Sequence, residues 1–245
     1  PASLFDRLVW CDALPTNFRG AVLANEVLDV VPIHLLLRNN DVWQERGVIW
    51  GGEAFAWEDR ACEDAALIAQ AQQIEKTCFS GEIPEGYLVE LCPQACALVA
   101  SVGAAMAEGT MLWIDYGFRA SEFYHPSRHM GTLMCHYRHY AHPDPFFHPG
   151  LQDITAHVDF SAIARAGDEA GLILAGYTTQ AQFLIAAGLA ELLPREAAPD
   201  AHMRMAQDIQ RLTSPAEMGE LFKVIGFTKG GAQIPTFIKA RPLPL

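Results

Sequence analysis

Asn25 and Glu26 stand directly behind an uninterrupted apolar run, Ala21–Ala24, in the stretch GAVLANEVLDVVP from Gly20 to Pro32. Such a run reads as a strand buried on both faces. Open α/β sheets bind ligands where strands of that kind emerge. The sequence therefore places an amide and a carboxylate at the mouth of a site. Asp29, three residues after Glu26, adds a second carboxylate, and Pro32 keeps an ordinary helix from running through. The same residues also read as a helix N-cap followed by a buried turn. Asp12 after Leu8–Trp10 and Asp115 after Met111–Ile114 repeat the pattern of an acid at a strand terminus.

A second group lies in the alternating run Asp153–Ser161. Here His157 and Asp159 project either as hydrogen-bonding or acid/base partners at a site entrance, or as a buried histidine beside a helix cap, with Asp159 or Ser161 the capping residue. Seven of the nine histidines (125, 129, 136, 139, 142, 148 and 157) fall in or just after the Gly-, Pro- and aromatic-rich stretch 118–152. The spacing of His136, His139 and His142 is open to a metal. A strand would, however, send these side chains to different faces, so no metal site is expected and a lid or substrate-facing loop is.

The elements that must position these groups follow in order. Leu4–Trp10 reads as strand-like, and Gly20 opens the next strand. Ile33–Arg38, Val42–Arg46 and Val48–Trp50 read as an antiparallel meander, with turns at Asn39–Asp41 and Arg46-Gly47. Trp43, Trp50 and Trp57 suggest an aromatic-covered face. Asp59–Phe79 has helical spacing and stops at Ser80-Gly81. Tyr87–Leu91, Pro93–Glu108 and Met111–Ile114 form a strand–helix–strand unit that argues for a parallel α/β sheet. Gly171–Tyr177 is a strand, followed by a helix over Gln180–Ala187 capped at Thr178/Thr179. Helical stretches follow near Ala190–Leu193 and over Pro199–Thr213. Leu221–Phe227 and Ile234–Lys239 read as a closing antiparallel hairpin around Gly230-Gly231.

With 245 residues the chain can bury a sizeable core, and one domain, 1–245, with insertions near 33–79 and 118–152, is expected. The net charge of −12 argues against nucleic acid as the main partner, and no apolar run is long enough for a membrane span. The six cysteines lack the dense spacing of a disulfide framework and read as reduced thiols.

The run VWCDALP…GAVLANEVLDVVP resembles two motifs of class I methyltransferases, which use S-adenosylmethionine. More specifically, NEVLDVVP, WIDYG, the stretch Gly131–Ala164 with QDITAHVDF, and EMGELFKVIGFTKG resemble the MidA-like family, which includes the mitochondrial protein-arginine methyltransferase required for respiratory complex I assembly. The resemblance implies a Rossmann-like class I methyltransferase sheet with an inserted antiparallel meander and added helices. It implies S-adenosylmethionine as cofactor and methyl transfer to an arginine of a protein substrate, such as a complex I subunit. It places Asp12 and Ala13 near the adenine, and Asn25 against the methionine moiety. Glu26 and then Asp29 would hold the acceptor guanidinium, while His157 and Asp159 would line the acceptor's entrance. A bacterial cytoplasmic protein is expected, or a mitochondrial matrix one if eukaryotic.

The family's glycine-rich cofactor loop has no counterpart here, since no Gly-x-Gly occurs in the sequence. The N-terminal region supplying the first two strands is therefore expected to be absent from an incomplete copy, because Pro1 is not a natural start. Two other functions compete: a non-catalytic assembly factor on the same fold, and a metal-dependent hydrolase built on the histidines.

Overall fold

The computed structural model describes residues 6–79, 83–138, 140–192, 199–240 and 242–245. Its elements begin with β1 (Phe18–Asn25), β2 (His34–Asn39), β3 (Val42–Trp50), β4 (Phe55–Ala61), α1 (Ala65–Cys78), β5 (Leu88–Leu91) and α2 (Pro93–Ala105). There follow β6 (Met106–Phe118), α3 (Ala120–Phe123), β7 (Met134–Tyr137), β8 (Tyr140–His142), β9 (Asp153–Thr155) and β10 (Val158–Asp159). The chain continues through α4 (Phe160–Glu169), β11 (Ile173–Thr179), α5 (Gln180–Ala186), α6 (Pro199–Thr213), α7 (Met218–Leu221), β12 (Phe222–Lys229) and α8 (Pro235–Lys239).

The main sheet runs β1-β6-β12-β11, with β1 parallel to β6 and the next two pairings antiparallel. Alternate residues of β6, among them Met111, Trp113 and Asp115, turn to one buried face, as period-2 geometry requires. That face packs on α2 and α4 through Val99, Val102, Phe160 and Ile163. Pro93 occupies the first turn of α2, where its missing N–H leaves no donor unmet. Opposite, Phe237 of α8 joins Phe183 and Val224, lying over Gly176 and Gly226, where any Cβ would overlap its ring.

The second sheet, β4-β3-β2-β5, is wholly antiparallel. It has its own core with α1, built from Leu36, Trp43, Leu67, Ala71 and Val89. Asp64 caps α1 by accepting from the amides of Ala66 and Leu67 at 2.8 and 3.2 Å. A small third sheet, β8-β7-β9, orders part of the stretch read as irregular.

Several sequence expectations are corrected. Leu8–Trp10 is exposed coil, with Trp10 93% exposed, because no neighbouring strand receives its backbone bonds. Arg46-Gly47 is no turn. Arg46 forks onto Asp59 across β3 and β4 at 2.7 and 2.8 Å, and the chain reverses later, at Gly51-Gly52. Residues 59–61 consequently belong to β4 and the helix starts at Ala65. Tyr87–Leu91 supplies β5 to the second sheet, antiparallel to β2, so the parallel pairings are those of β1 and β10 with β6 and not the expected strand–helix–strand unit. The closing hairpin is instead helix α8, started by Pro235. Ser80-Gly81, His139, Leu193 and the first residues of the Leu4–Trp10 stretch lie outside the described residues.

β10 joins β6 at its carboxyl end, pairing Val158 with Gly117 and Asp159 with Phe118. A Cβ on Gly117 would stand 2.1 Å from the carbonyl oxygen of Val158. Gly117→Ala should therefore cost about 1–3 kcal/mol through forced separation of these strands, read as a lowered denaturant midpoint with an unchanged m-value.

Candidate active site

β1 ends where the site begins. Asn25 pairs with Ile114, and the amide of Glu26 still donates to Ile114 O at 2.9 Å. Glu26 then turns the chain with φ +52, a left-handed conformation uncommon for a residue with a Cβ. Immediately after it, the amides of Val27, Leu28 and Asp29 all point at one oxygen of Asp115, Oδ2, at 3.2, 2.9 and 3.4 Å. Asp115 Oδ1 accepts from the Tyr116 amide at 3.0 Å. Burial, and then the charge of Asp29, push the Asp115 carboxyl up to about 7, with the amide bonds opposing them.

Asp29 is buried, and the hydroxyl of Tyr116 donates to its Oδ2, while its Oδ1 has no hydrogen-bond partner among the described residues. Burial raises the Tyr116 hydroxyl far above its ordinary value, helped by its bond to Asp29. The carbonyl of Asp29 accepts from Ala156 at 3.0 Å, which brings the next residue, His157, against the same cluster. The His157 ring stacks on Phe118 with centroids 5.3 Å apart and planes 3° from parallel, and meets Tyr116 edge-on at 5.2 Å. The guanidinium of Arg128 lies 4.0 Å from the centre of the Phe118 ring. Burial first, then Arg128 and Lys223, hold His157 down at about 4, so the imidazole is neutral at physiological pH.

Asp159 is the helix cap that one reading foresaw. Its Oδ1 accepts from Ser161 and Ala162 at 3.0 and 3.2 Å, and burial raises its carboxyl. His157 and Asp159 line one cavity of about 550 Å³, together with Leu28, Glu90, Tyr124 and Ile163.

The structure thus brings Asn25, Glu26 and Asp29 into one turn and joins His157 to it. Asn25 and Glu26 are exposed and hydrogen-bonded to each other, Nδ2 to Oε1, at 3.0 Å. Asp12 and Ala13 lie in exposed coil ahead of β1, apart from any strand end. Tyr116 and Glu90 are additions. The lone acid in the apolar run LVEL was a signal for Glu90, and Tyr116 sits beside an Asp115 already noticed. The histidines serve the loops. His125 accepts from Ser127, His142 from Asp144, and His148 packs on Tyr137 and Phe147. Among the described residues no three His, Cys, Asp or Glu side chains are arranged to hold a metal ion.

Residues 1–178 match the model of a family described as "Putative S-adenosyl-L-methionine-dependent methyltransferase". The chain belongs to this family. It is 30% identical over 213 residues to the mitochondrial protein arginine methyltransferase NDUFAF7 of Mus musculus, covering 82% of this chain and 44% of that protein. To the Danio rerio protein of the same name it is 28% identical over 229 residues, covering 88% and 49%. The chain thus spans about half the length of these relatives. A Burkholderia thailandensis crystal structure bound to S-adenosyl-homocysteine is 46% identical and superposes with a TM-score of 0.88, over 98% of this chain and 61% of that one. The mixed α/β fold with its parallel pairings is therefore shared with the matching part of that structure. No helix among the described residues is long and apolar enough to cross a membrane.

Because the Asp115 carboxyl is raised from 3.8 to about 7, the folded chain retains a proton that the unfolded chain releases between those values. Its contribution to stability is complete below pH 4 and is lost as pH rises through 7. Asp115→Asn cannot titrate, so the stability of wild type minus that of the variant should fall between pH 4 and 7 and level off above 8. Denaturant titrations across that range measure it, and a flat difference would show Asp115 ionised throughout.

Proposed function

We propose that this chain supplies the acceptor side of an S-adenosylmethionine-dependent methyltransferase whose acceptor is an arginine nitrogen of a protein. The observation that carries the reading is Glu26, an exposed carboxylate in a left-handed turn at the carboxyl end of a parallel strand, with the following turn held on Asp115. Backbone held in a sparsely populated conformation at such a point marks a functional site. The family match, the names of the relatives and the S-adenosyl-homocysteine in the Burkholderia structure support it.

The residues present suit part of the cofactor. Asn25 offers an exposed amide for the methionine portion, and by the motif resemblance Asp12 with Ala13 would face the adenine. When bound, the cofactor supplies a methyl group already activated on sulfur. What remains for the protein is to align the acceptor and exclude water. Glu26 grips the guanidinium, whose planar fork suits a carboxylate, and Asp29 stands behind it, oriented by Tyr116. His157 and Asp159 line the entrance. The neutral imidazole of His157 adds no positive charge against an incoming cation. The net charge of −12 favours the approach of a basic protein segment, and a respiratory complex I subunit is the acceptor that the motif resemblance implies.

Calorimetry with S-adenosylmethionine, on this chain and on the gene's full-length product, tests the cofactor. Glu26→Gln in the full-length product should lower methyl transfer by roughly 10²-fold with cofactor affinity little changed. Full activity in that variant would remove Glu26 from its role.

A further inference from the structure

We infer that Glu90 is a positioning residue for the acceptor site, fixing from the second sheet, through Thr132, the segment that presents His157. The inference rests on the reading that His157 lines the acceptor's entrance. Glu90 lies in β5, all four residues of which are buried. A carboxylate in such a strand is costly unless its oxygens are hydrogen-bonded. Both are. Oε2 accepts from the Thr132 hydroxyl at 2.6 Å and Oε1 from the Leu133 amide at 2.9 Å. Thr132 Oγ1 in turn accepts from the backbone amide of His157 at 2.9 Å. Three residues thus connect the edge strand of the second sheet to the start of β10 beside the first.

The path is built for this contact. The Leu88 amide donates to His129 O at 2.9 Å, so the chain after residue 129 runs beside β5. It passes Glu90 at Gly131, which has φ +77 and where a Cβ would lie 2.6 Å from Glu90 Oε1. Tyr124 donates its hydroxyl to the carbonyl of Glu90 at 3.2 Å, closing the other side. Burial raises the Glu90 carboxyl, and the bonds from Thr132 and Leu133 oppose that. An apolar side chain at this position would fill the space equally well. Only a group with two acceptors sets Thr132 and Leu133 together, and the stacking of His157 on Phe118 follows from that setting.

Histidine-selective NMR of this chain tests the inference. The charges acting on the His157 ring are those of Arg128 and Lys223, Tyr116 meets it edge-on and Asp159 lines the same cavity, and none of these is altered. In Glu90→Ala the His157 midpoint should rise from about 4 by about one pH unit or more as burial is lost, and the ring-current shift from Phe118 should shrink. Glu90→Gln, which keeps an acceptor for Leu133 and a partner for Thr132, should restore both. Thr132→Val leaves Glu90 and its bond from the Leu133 amide in place and removes the hydroxyl that joins Glu90 to His157. It should reproduce the effect, and it decides the matter if Glu90→Ala does not fold. In the full-length product, Glu90→Ala should raise the acceptor KM by roughly tenfold and leave the cofactor KM unchanged. A His157 midpoint unmoved in folded Thr132→Val, or left displaced in Glu90→Gln, overturns the inference. Movement of His157 in a full-length product that transfers no methyl group would instead overturn the functional reading above.

Discussion

One oxygen of Asp115 receiving three consecutive amides is the constraint on which the site depends. β1 must stop somewhere, and a strand end leaves N–H groups that water or protein has to satisfy. Here a buried acceptor on the neighbouring strand satisfies them, so the chain after Glu26 folds down toward β6. That choice forces the left-handed turn at Glu26, leaves its side chain outside, and carries Asp29 inward to Tyr116. The arrangement holds a buried carboxyl close to another acid. The raised Asp115 carboxyl is the consequence.

From this point the two sheets come together. Ala156 bonds the turn at Asp29, and β10 pairs with Gly117 only because no Cβ intervenes. Thr132 fixes His157 from the other side. The site is thus not a feature of the main sheet alone. Its floor is the end of β1 and β6, while one wall is anchored in the antiparallel sheet that lies between those strands in the sequence.

Much of this was legible in the residues. The apolar run ending in Asn25-Glu26 was a strand end beside a parallel neighbour, though an end strand with Leu23 exposed and not buried on both faces as its run suggested, and Asp159 was one of the two foreseen helix caps. Pro199–Thr213 folds as its periodicity indicates, over those same residues. What failed was partner choice. Tyr87–Leu91 reads as a buried strand and is one, but nothing in four apolar or shielded residues says which sheet receives it. Gly47 read as a turn because glycine permits one, whereas the cross-strand fork of Arg46 and Asp59 carries the strand through it. Pro235 and the small residues under Phe237 decide for a helix at the end, and that contact with Gly176 and Gly226 is invisible locally. In the site, Glu26 and then Asp29 were read as sharing one task at one surface. Three amide bonds to Asp115 separate them, one outside and one inside.

That separation also sorts the electrostatics. Burial raises the carboxyls of Asp115, Glu90 and Asp159 and lowers His157, so each buried group is driven toward its neutral form. Hydrogen bonds as well as packing hold these buried groups, and they fix the geometry beneath the turn. Glu26 stands outside these groups, with its side chain exposed to solvent. Which acid the turn leaves exposed is thus decided by Asp115, which holds the turn.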